Sequence, residues 1–245
     1  MNARSGPKIG VLVPFTNTNL EPDMVSMCPI GATVHFARLG GYDVDEIPGV
    51  DQMAGLGASD MSGALRLIAG VRPAAILYGC TSATLTHGSA FDRDLAKKIV
   101  TASNAHSVTA AGSLVASLRA LGARRVGFGS PYVGEVNDLA VKFFATEDIE
   151  VARIANIGRD LGNYGQGELT PEEVFELAIR ADAADLDALI MSCTDMRSVE
   201  IIERLEATVG KPVVTSNQAM MFCAMRALAM VPDGRQPGRL FDRLQ

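Results

Sequence analysis

Short apolar runs alternate with longer amphipathic stretches along the whole chain, the pattern of parallel strands joined by helices. The first run, Lys8-Ile-Gly-Val-Leu-Val-Pro14, is rich in β-branched residues and stopped by proline, which predicts a strand buried on both faces. Val34–Leu39 predicts a second strand and Ala74–Tyr78 a third. Between them, the Gly- and Met-rich stretch Val50–Ser59 predicts irregular structure, and Met61–Gly70 predicts a helix. Phe91–Val100 carries its acids early and its lysines late, as a helix macrodipole favours. Ser107–Leu121 predicts one further helix, closed by Gly122 just past its end.

The pattern then starts again. Arg124-Arg-Val-Gly-Phe-Gly-Ser-Pro131 repeats the first run in length, glycine placement and terminal proline, with the two prolines 117 apart (131 − 14). Ile149–Ile157 takes the place of the second strand and Ala188–Ser192 that of the third. Thr170-Pro-Glu-Glu173 starts a helix running to about Ala183: threonine caps it, proline suits its first turn, and Glu173 can complete a capping box. Val100-Thr-Ala-Ser-Asn104 and Val214-Thr-Ser-Asn217 supply another landmark, the asparagines 113 apart (217 − 104). These repeats argue for an internal duplication. The predicted fold class is α/β: two similar lobes, each a parallel sheet flanked by helices, related by a pseudo-two-fold with the active site between them. The expected divisions are an N-terminal lobe over 1–115 and a C-terminal lobe over 116–228. Residues 229–245 are expected to help close the sheet and to finish as a surface tail.

Two strand ends carry the candidate chemistry. Leu77-Tyr78-Gly79-Cys80-Thr81-Ser82 and Ile190-Met191-Ser192-Cys193-Thr194-Asp195 each end an apolar run in a Cys-Thr pair, the cysteines 113 apart (193 − 80). In open α/β sheets, ligands bind beyond the carboxyl ends of the strands. Backbone N–H groups and the dipole of a following helix help a cysteine there to ionise, and would also bind an anionic substrate oxygen. The segment Phe15–Asp23, rich in hydroxyl and amide groups, falls at the same edge of the sheet. Cys28 and Cys223 lack such a context and are expected to be structural. Met53 and Met61 flank a segment able to cover the cleft. His87 reads as a solvated histidine at a helix start.

Composition narrows the classes. The chain has 245 residues, 48% hydrophobic and 20% charged, which suits a large buried core and not disorder. A net charge of −6 with no basic run argues against nucleic-acid and anionic-membrane partners, and 5% aromatics without Trp leaves no stacking platform. Four dispersed cysteines do not make a disulfide framework, and no zinc-spaced Cys/His set occurs. Gly127-Phe-Gly129 lacks the rest of a dinucleotide fingerprint, so no cofactor is expected. Met1–Lys8 lacks the apolar core of a signal peptide, and no run approaches the length of a membrane span, so a cytoplasmic location is expected.

The duplicated halves, each ending a strand in Cys-Thr, resemble the aspartate/glutamate racemase superfamily, nearest its maleate cis–trans isomerase and arylmalonate decarboxylase branch. The resemblance runs from Ile9 to about Phe241. It is carried by Pro14-Phe-Thr-Asn-Thr-Asn-Leu-Glu21, Gly79-Cys-Thr-Ser-Ala-Thr84, Ser130-Pro-Tyr-Val-Gly-Glu-Val-Asn137, Leu161-Gly-Asn-Tyr164 and Ser192-Cys-Thr194. It implies that Cys80 and Cys193 are opposed catalytic thiols. It also implies that Asn17, Tyr132 and Asn163 hold substrate carboxylates. From their residue type and place, Thr81, Ser82 and Thr194 are candidate hydroxyl or N–H donors to a carboxylate. The decarboxylase pattern has glycine at the Cys80 position, and the amino-acid racemase pattern has a histidine after its second Cys-Thr where this chain has Asp195. A homodimer is implied by the resemblance alone, and a higher homo-oligomer is the other expected assembly.

Two thiols on opposite faces of one small acid suit two reactions. In a cis–trans isomerase of maleate or a similar dicarboxylate, the Cys80 thiolate adds to the double bond while Cys193 supplies a proton; rotation and elimination follow. In a racemase or epimerase of an amino acid, hydantoin or related acid, one thiol removes a proton and the other returns one. A non-catalytic protein that only binds a small dicarboxylate is a third reading. Val50–Ser59 and Arg159–Gly167 are the loops expected to shape specificity.

Overall fold

A computed structural model describes residues 6–41 and 49–244. Residues 1–5 of the N-terminal segment considered above lie outside the described residues. Among the described residues eight strands form two four-stranded parallel sheets with the same order, β2-β1-β3-β4 and β6-β5-β7-β8. The first comprises β1 (Lys8–Val13), β2 (Thr33–Arg38), β3 (Ala75–Tyr78) and β4 (His106–Thr109). The second comprises β5 (Arg125–Ser130), β6 (Glu150–Asn156), β7 (Ala188–Met191) and β8 (Val213–Thr215).

Register fixes the internal equivalence. Leu12 pairs with Tyr78 and Tyr78 with Thr109; in the second sheet Gly129 pairs with Met191 and Met191 with Thr215. The offsets are therefore 117 (129 − 12), 113 (191 − 78) and 106 (215 − 109). The first two agree with the repeats seen in the sequence. The Asn104–Asn217 landmark does not. Asn104 caps the end of helix α5 (Ser89–Ser103) in a left-handed conformation, φ 57°, whereas Asn217 lies in the first turn of α11 (Ser216–Ala227). The true counterparts are Thr109 and Thr215, whose hydroxyls accept from Gly112 and Gln218 N–H at 3.2 Å each and start the helices that follow β4 and β8.

Two sequence expectations change here. Ser107–Leu121 is not one helix. His106–Thr109 is the edge strand β4, and α6 (Ala110–Leu121) begins where Thr109 caps it. Four residues are too short to show a period, so the strand merged with the helix in the hydrophobic pattern. Val50–Ser59 is not irregular either: α2 (Val50–Ala58) buries Met53 and Leu56, and Gln52 Oε1 accepts from Gly49 N–H at its start. Gly55 and Gly57 each cost a helix about 1 kcal/mol relative to alanine. Burying one Met or Leu returns about 1.5–3 kcal/mol, so packing wins.

Strand residues alternate between two cores. Ile9, Val11, Leu77, Phe128, Ile190 and Val214 share one cluster that draws on both sheets, together with α6, α11 and α7 (Gly134–Ala145). Leu12, Ile76 and Tyr78 face a second cluster with α2 and α3 (Ser62–Ala69), while Leu189 and Met191 face a third with α9 (Pro171–Ala181). The shared cluster packs the halves as one body. The expected lobe boundary at 115/116 falls inside α6, which packs against α11. The C-terminal residues are no simple surface tail: in the 3-10 turn Arg239–Leu244, Leu240 and Phe241 are buried, and Phe241 meets Phe222 edge-on at 6.1 Å. They do not extend either sheet. Among the described residues, no helix is long and apolar enough to cross a membrane.

Candidate active site

Equivalent backbone bonds end the two cysteine strands. Gly79 N–H donates to Leu12 C=O at 2.9 Å, and Ser192 N–H to Gly129 C=O at 2.8 Å. At Gly79 a side chain has no room: a Cβ would lie 2.8 Å from the Leu12 oxygen and 2.3 Å from Leu20 Cδ2. Cys80 and Cys193 follow one residue later, 5% and 8% exposed, and both line one cavity of about 80 Å³. One water position needs about 10–15 Å³ by this measure, so the space holds roughly five to eight water-sized groups, the scale of a small acid such as a four-carbon diacid.

The loop after β1 forms another wall. Arg38 Nη1 holds it by donating to Pro14 (3.3 Å), Phe15 (3.2 Å) and Asn17 (2.8 Å) carbonyls. Asn17 lines the cavity, 2% exposed. Its Oδ1 accepts from Asn19 N–H at 3.1 Å and from Leu20 N–H at 2.9 Å, starting α1 (Leu20–Met27), and its Nδ2 donates to Thr194 Oγ1 at 3.0 Å. The amide therefore also caps a helix and links the lobes. Thr194 lines the cavity too, but its hydroxyl is engaged: it accepts from Asn17 and donates to Gly79 C=O at 2.7 Å, tying one cysteine turn to the other.

Tyr132 lines the cavity with its hydroxyl bonded to Ser192 Oγ at 3.3 Å and within reach of Thr81, so it spans the two cysteine turns. Ser82 also lines it; its Oγ lies 3.8 Å from Cys80 Sγ and 2.8 Å from Met53 Sδ. The remaining two candidates sit behind the wall. Thr81 donates to Ser216 Oγ at 2.9 Å and Asn163 is 4% exposed, its C=O accepting from Gln166 Nε2 at 2.9 Å; neither lines the cavity. Both expected specificity loops contribute, through Met53 and Leu56 from α2 and through Arg159, Leu161 and Gln166. Cys28 and Cys223 lie elsewhere. His87 is the last residue of α4 (Thr81–His87), not at a helix start; it is exposed and stacked on Phe91, its Nε2 2.8 Å from Ala54 C=O.

The structure adds residues that the sequence pattern did not single out, above all Asp195, Asn19 and Arg159. Asp195 Oδ1 accepts from Thr18 N–H at 2.8 Å, Asn19 N–H at 3.1 Å and Asn19 Nδ2 at 3.2 Å. Its sequence signals were its place beside Cys193-Thr194 and its replacement of the histidine of the racemase pattern, neither of which showed its reach to the β1–α1 loop. Among the described residues Arg159 is the one cation lining the cavity, held by Glu173 Oε1 at 2.8 Å.

Electrostatics separate the two thiols. Burial pushes Cys80 up, opposed by the Ala83 N–H and the Ser82 hydroxyl. Burial pushes Cys193 up as well, and there the Asp195 charge adds to it as the second cause, with the N–H groups of Asp195 and Met196 only partly opposing the rise. Burial likewise holds the Tyr132 phenol protonated. Among the described residues no group of His, Cys, Asp and Glu is placed to hold a metal ion.

Fold and site together define a class: a two-lobed parallel α/β protein whose paired strand-end cysteines share one small interlobe cavity. The arylmalonate decarboxylase family (Amdase) matches residues 9–241, and the chain belongs to that family. It is 27% identical over 242 residues to a maleate isomerase of Pseudomonas putida, covering 92% of this chain and 93% of that one. It is 29% identical over 165 residues to an arylmalonate decarboxylase of Bordetella bronchiseptica, covering 66% and 68%. A solved maleate cis–trans isomerase of Nocardia farcinica superposes with a TM-score of 0.85 at 25% identity, covering 96% of this chain and 97% of that one.

Proposed function

We propose that this chain is a cofactor-independent cis–trans isomerase of maleate or a similar small dicarboxylate. The carrying observation is that Cys80 and Cys193, on equivalent strand ends, line one cavity of four-carbon size. The maleate isomerases among its relatives support the substrate class. So does a Nocardia farcinica maleate isomerase variant, serine replacing one cysteine, that holds a covalently bound succinylcysteine intermediate.

In this reading the Cys80 thiolate attacks one olefinic carbon, forming a C–S bond. The π pair moves to the neighbouring carbon, is spread into the adjacent carboxylate as an enediolate, and takes the Cys193 proton. The former double bond rotates. The Cys193 thiolate then removes the proton, the electron pair re-forms the double bond, and the C–S bond breaks to release fumarate and the Cys80 thiolate. Asn17, Tyr132 and Ser82 hold the carboxylates; Thr194, and Thr81 and Asn163 behind the wall, support the donors. Division into lobes over 1–115 and 116–228 with a segment 229–245, a cytoplasmic location and a homodimer belong to the same proposal.

Arylmalonate decarboxylation is the second reading, favoured by the family match. Cys80 weighs against it, because that reaction pattern has glycine there. Proton NMR of the protein with maleate tests the first reading: fumarate appears, and Cys80→Ser or Cys193→Ser abolishes it. No fumarate at high protein concentration with reduced thiols, or carbon dioxide release from an arylmalonate instead, would contradict it. Deuterium entering the α-carbon of a chiral acid in deuterium oxide would point to racemisation.

A further inference from the structure

One feature distinguishes the second cysteine turn from the first: a buried carboxylate two residues after the sulfur. Asp195 is 4% exposed, and its N–H donates to Cys193 Sγ at 3.4 Å. Its side chain reaches across the lobe junction to Thr18 and Asn19, in the same loop that carries Asn17. Asn19 Nδ2 returns the contact to Asp195 C=O at 2.8 Å and also donates to Gly167 C=O at 3.0 Å. Gly167 leaves the space the carboxylate fills: a Cβ there would lie 2.9 Å from Asp195 Oδ2. Three walls of the cavity therefore meet on one carboxylate: the β1–α1 loop, the Cys193 turn, and α8 (Gly165–Glu168).

We propose that Asp195 is the positioning residue that fastens the Cys193 turn to the Asn17 loop and, by its charge beside the sulfur, keeps Cys193 a proton donor while Cys80 acts as nucleophile. The assignment rests on the isomerase reading for the reaction, but the charge effect on the thiol stands apart from any substrate. Burial raises the Asp195 pKa above the usual carboxylate value, while four donors converging on Oδ1, from the N–H and side chain of Thr18 and of Asn19, oppose that rise and favour the ionised form. The Asp195 charge acts on Cys193, and a negative charge facing a thiol in a poorly solvated site disfavours the thiolate. Cys80 from the β3–α4 turn and Tyr132 from the β5–α7 loop also face Cys193, and neither is anionic until its own proton leaves; Arg159 and Asp160 line the same cavity as a pair of opposite charge. Asp195 itself is faced by Asp23 of α1, with Glu200 and Arg197 beyond it.

The test is the pH dependence of Cys193 alkylation by iodoacetamide in a Cys80→Ser background, followed peptide by peptide by mass spectrometry. Asp195→Asn keeps the shape and an acceptor but removes the charge. The midpoint for Cys193 falls by about one pH unit or more, a tenfold gain in thiolate at a fixed lower pH. In the two-cysteine protein the same change moves the alkaline limb of kcat down by a similar amount, with KM within about twofold. Asn19→Ala removes the fastening side chain and leaves the charge: kcat falls roughly tenfold and the alkylation midpoint stays in place. Asp195→Ser serves in place of Asp195→Asn if that variant does not fold. An unmoved or raised midpoint in the uncharged variant overturns the proposal, as does an equal shift in Asn19→Ala. Failure of the isomerase reading would show separately, as no fumarate from the unaltered protein.

Discussion

The two cysteine turns occupy the same place in duplicated sheets, yet they are finished differently. After Cys80 the chain enters α4 directly, so an N–H from Ala83 and the Ser82 hydroxyl reach the sulfur. After Cys193 it makes a turn that places the Asp195 carboxylate nearby before the next helical residues at Val199. Duplication supplied two thiols aimed at one cavity; divergence of two or three residues made them chemically unequal. An addition–elimination reaction uses that inequality, since one thiol must leave its proton and the other must keep it.

The comparison breaks most visibly by removing either sulfur. Cys80→Ser and Cys193→Ser are each expected to lower kcat by about a thousandfold or more, with circular dichroism unchanged. A milder probe is the amide that joins the halves. Asn17→Ala loses a cavity donor, the Thr194 contact and the start of α1, so kcat/KM falls roughly 10- to 100-fold and melting drops by several degrees, as for a lost cap of about 1 kcal/mol. Smaller still is Arg159→Gln. As the one lining cation it draws a dianion toward the cleft, so its loss raises KM about tenfold, leaves kcat near its starting value, and flattens the salt dependence of kcat/KM.

The last effect is on stability and leaves the chemistry alone. Asp23 on α1 accepts from Asn217 Nδ2 at 2.7 Å, and burial raises its pKa from 3.8 to about 7. Because the folded value exceeds the unfolded one, the folded protein holds the proton more tightly. This stabilisation is complete below about pH 4 and is lost as pH rises through about 7. Asp23→Asn is expected to raise the melting temperature at pH 8 relative to the unaltered protein and to flatten its decline between pH 4 and 8, measured by calorimetry.

Much of this was legible in the sequence because it was written in strong local signals. Fully buried parallel strands read as uninterrupted apolar runs, and the Thr170-Pro-Glu-Glu173 signal marked its helix correctly: Thr170 Oγ1 accepts from Glu173 N–H at 3.2 Å. The paired Cys-Thr ends were visible by their spacing. What escaped depends on contacts distant along the chain. The edge strand β4 is four residues long and half-polar, and α2 forms only against the cleft it covers. Asp195 acts on Thr18, 177 positions away, a pairing that local periodicity does not encode. The Asn104–Asn217 match misled because similar letters sat at the end of one helix and the beginning of another.

The central claim, that the two equivalent thiols share one cavity and divide the chemistry, is tested most directly by trapping the adduct. Cys193→Ser protein is incubated with maleate, quenched with acid, digested and examined by mass spectrometry, with Cys80→Ser treated in parallel. A succinyl adduct is expected on the peptide bearing Cys80 in the first sample and no adduct on Cys193 in the second. An adduct on Cys193 in the second sample, or none on Cys80 in the first while the unaltered protein makes fumarate, would contradict it.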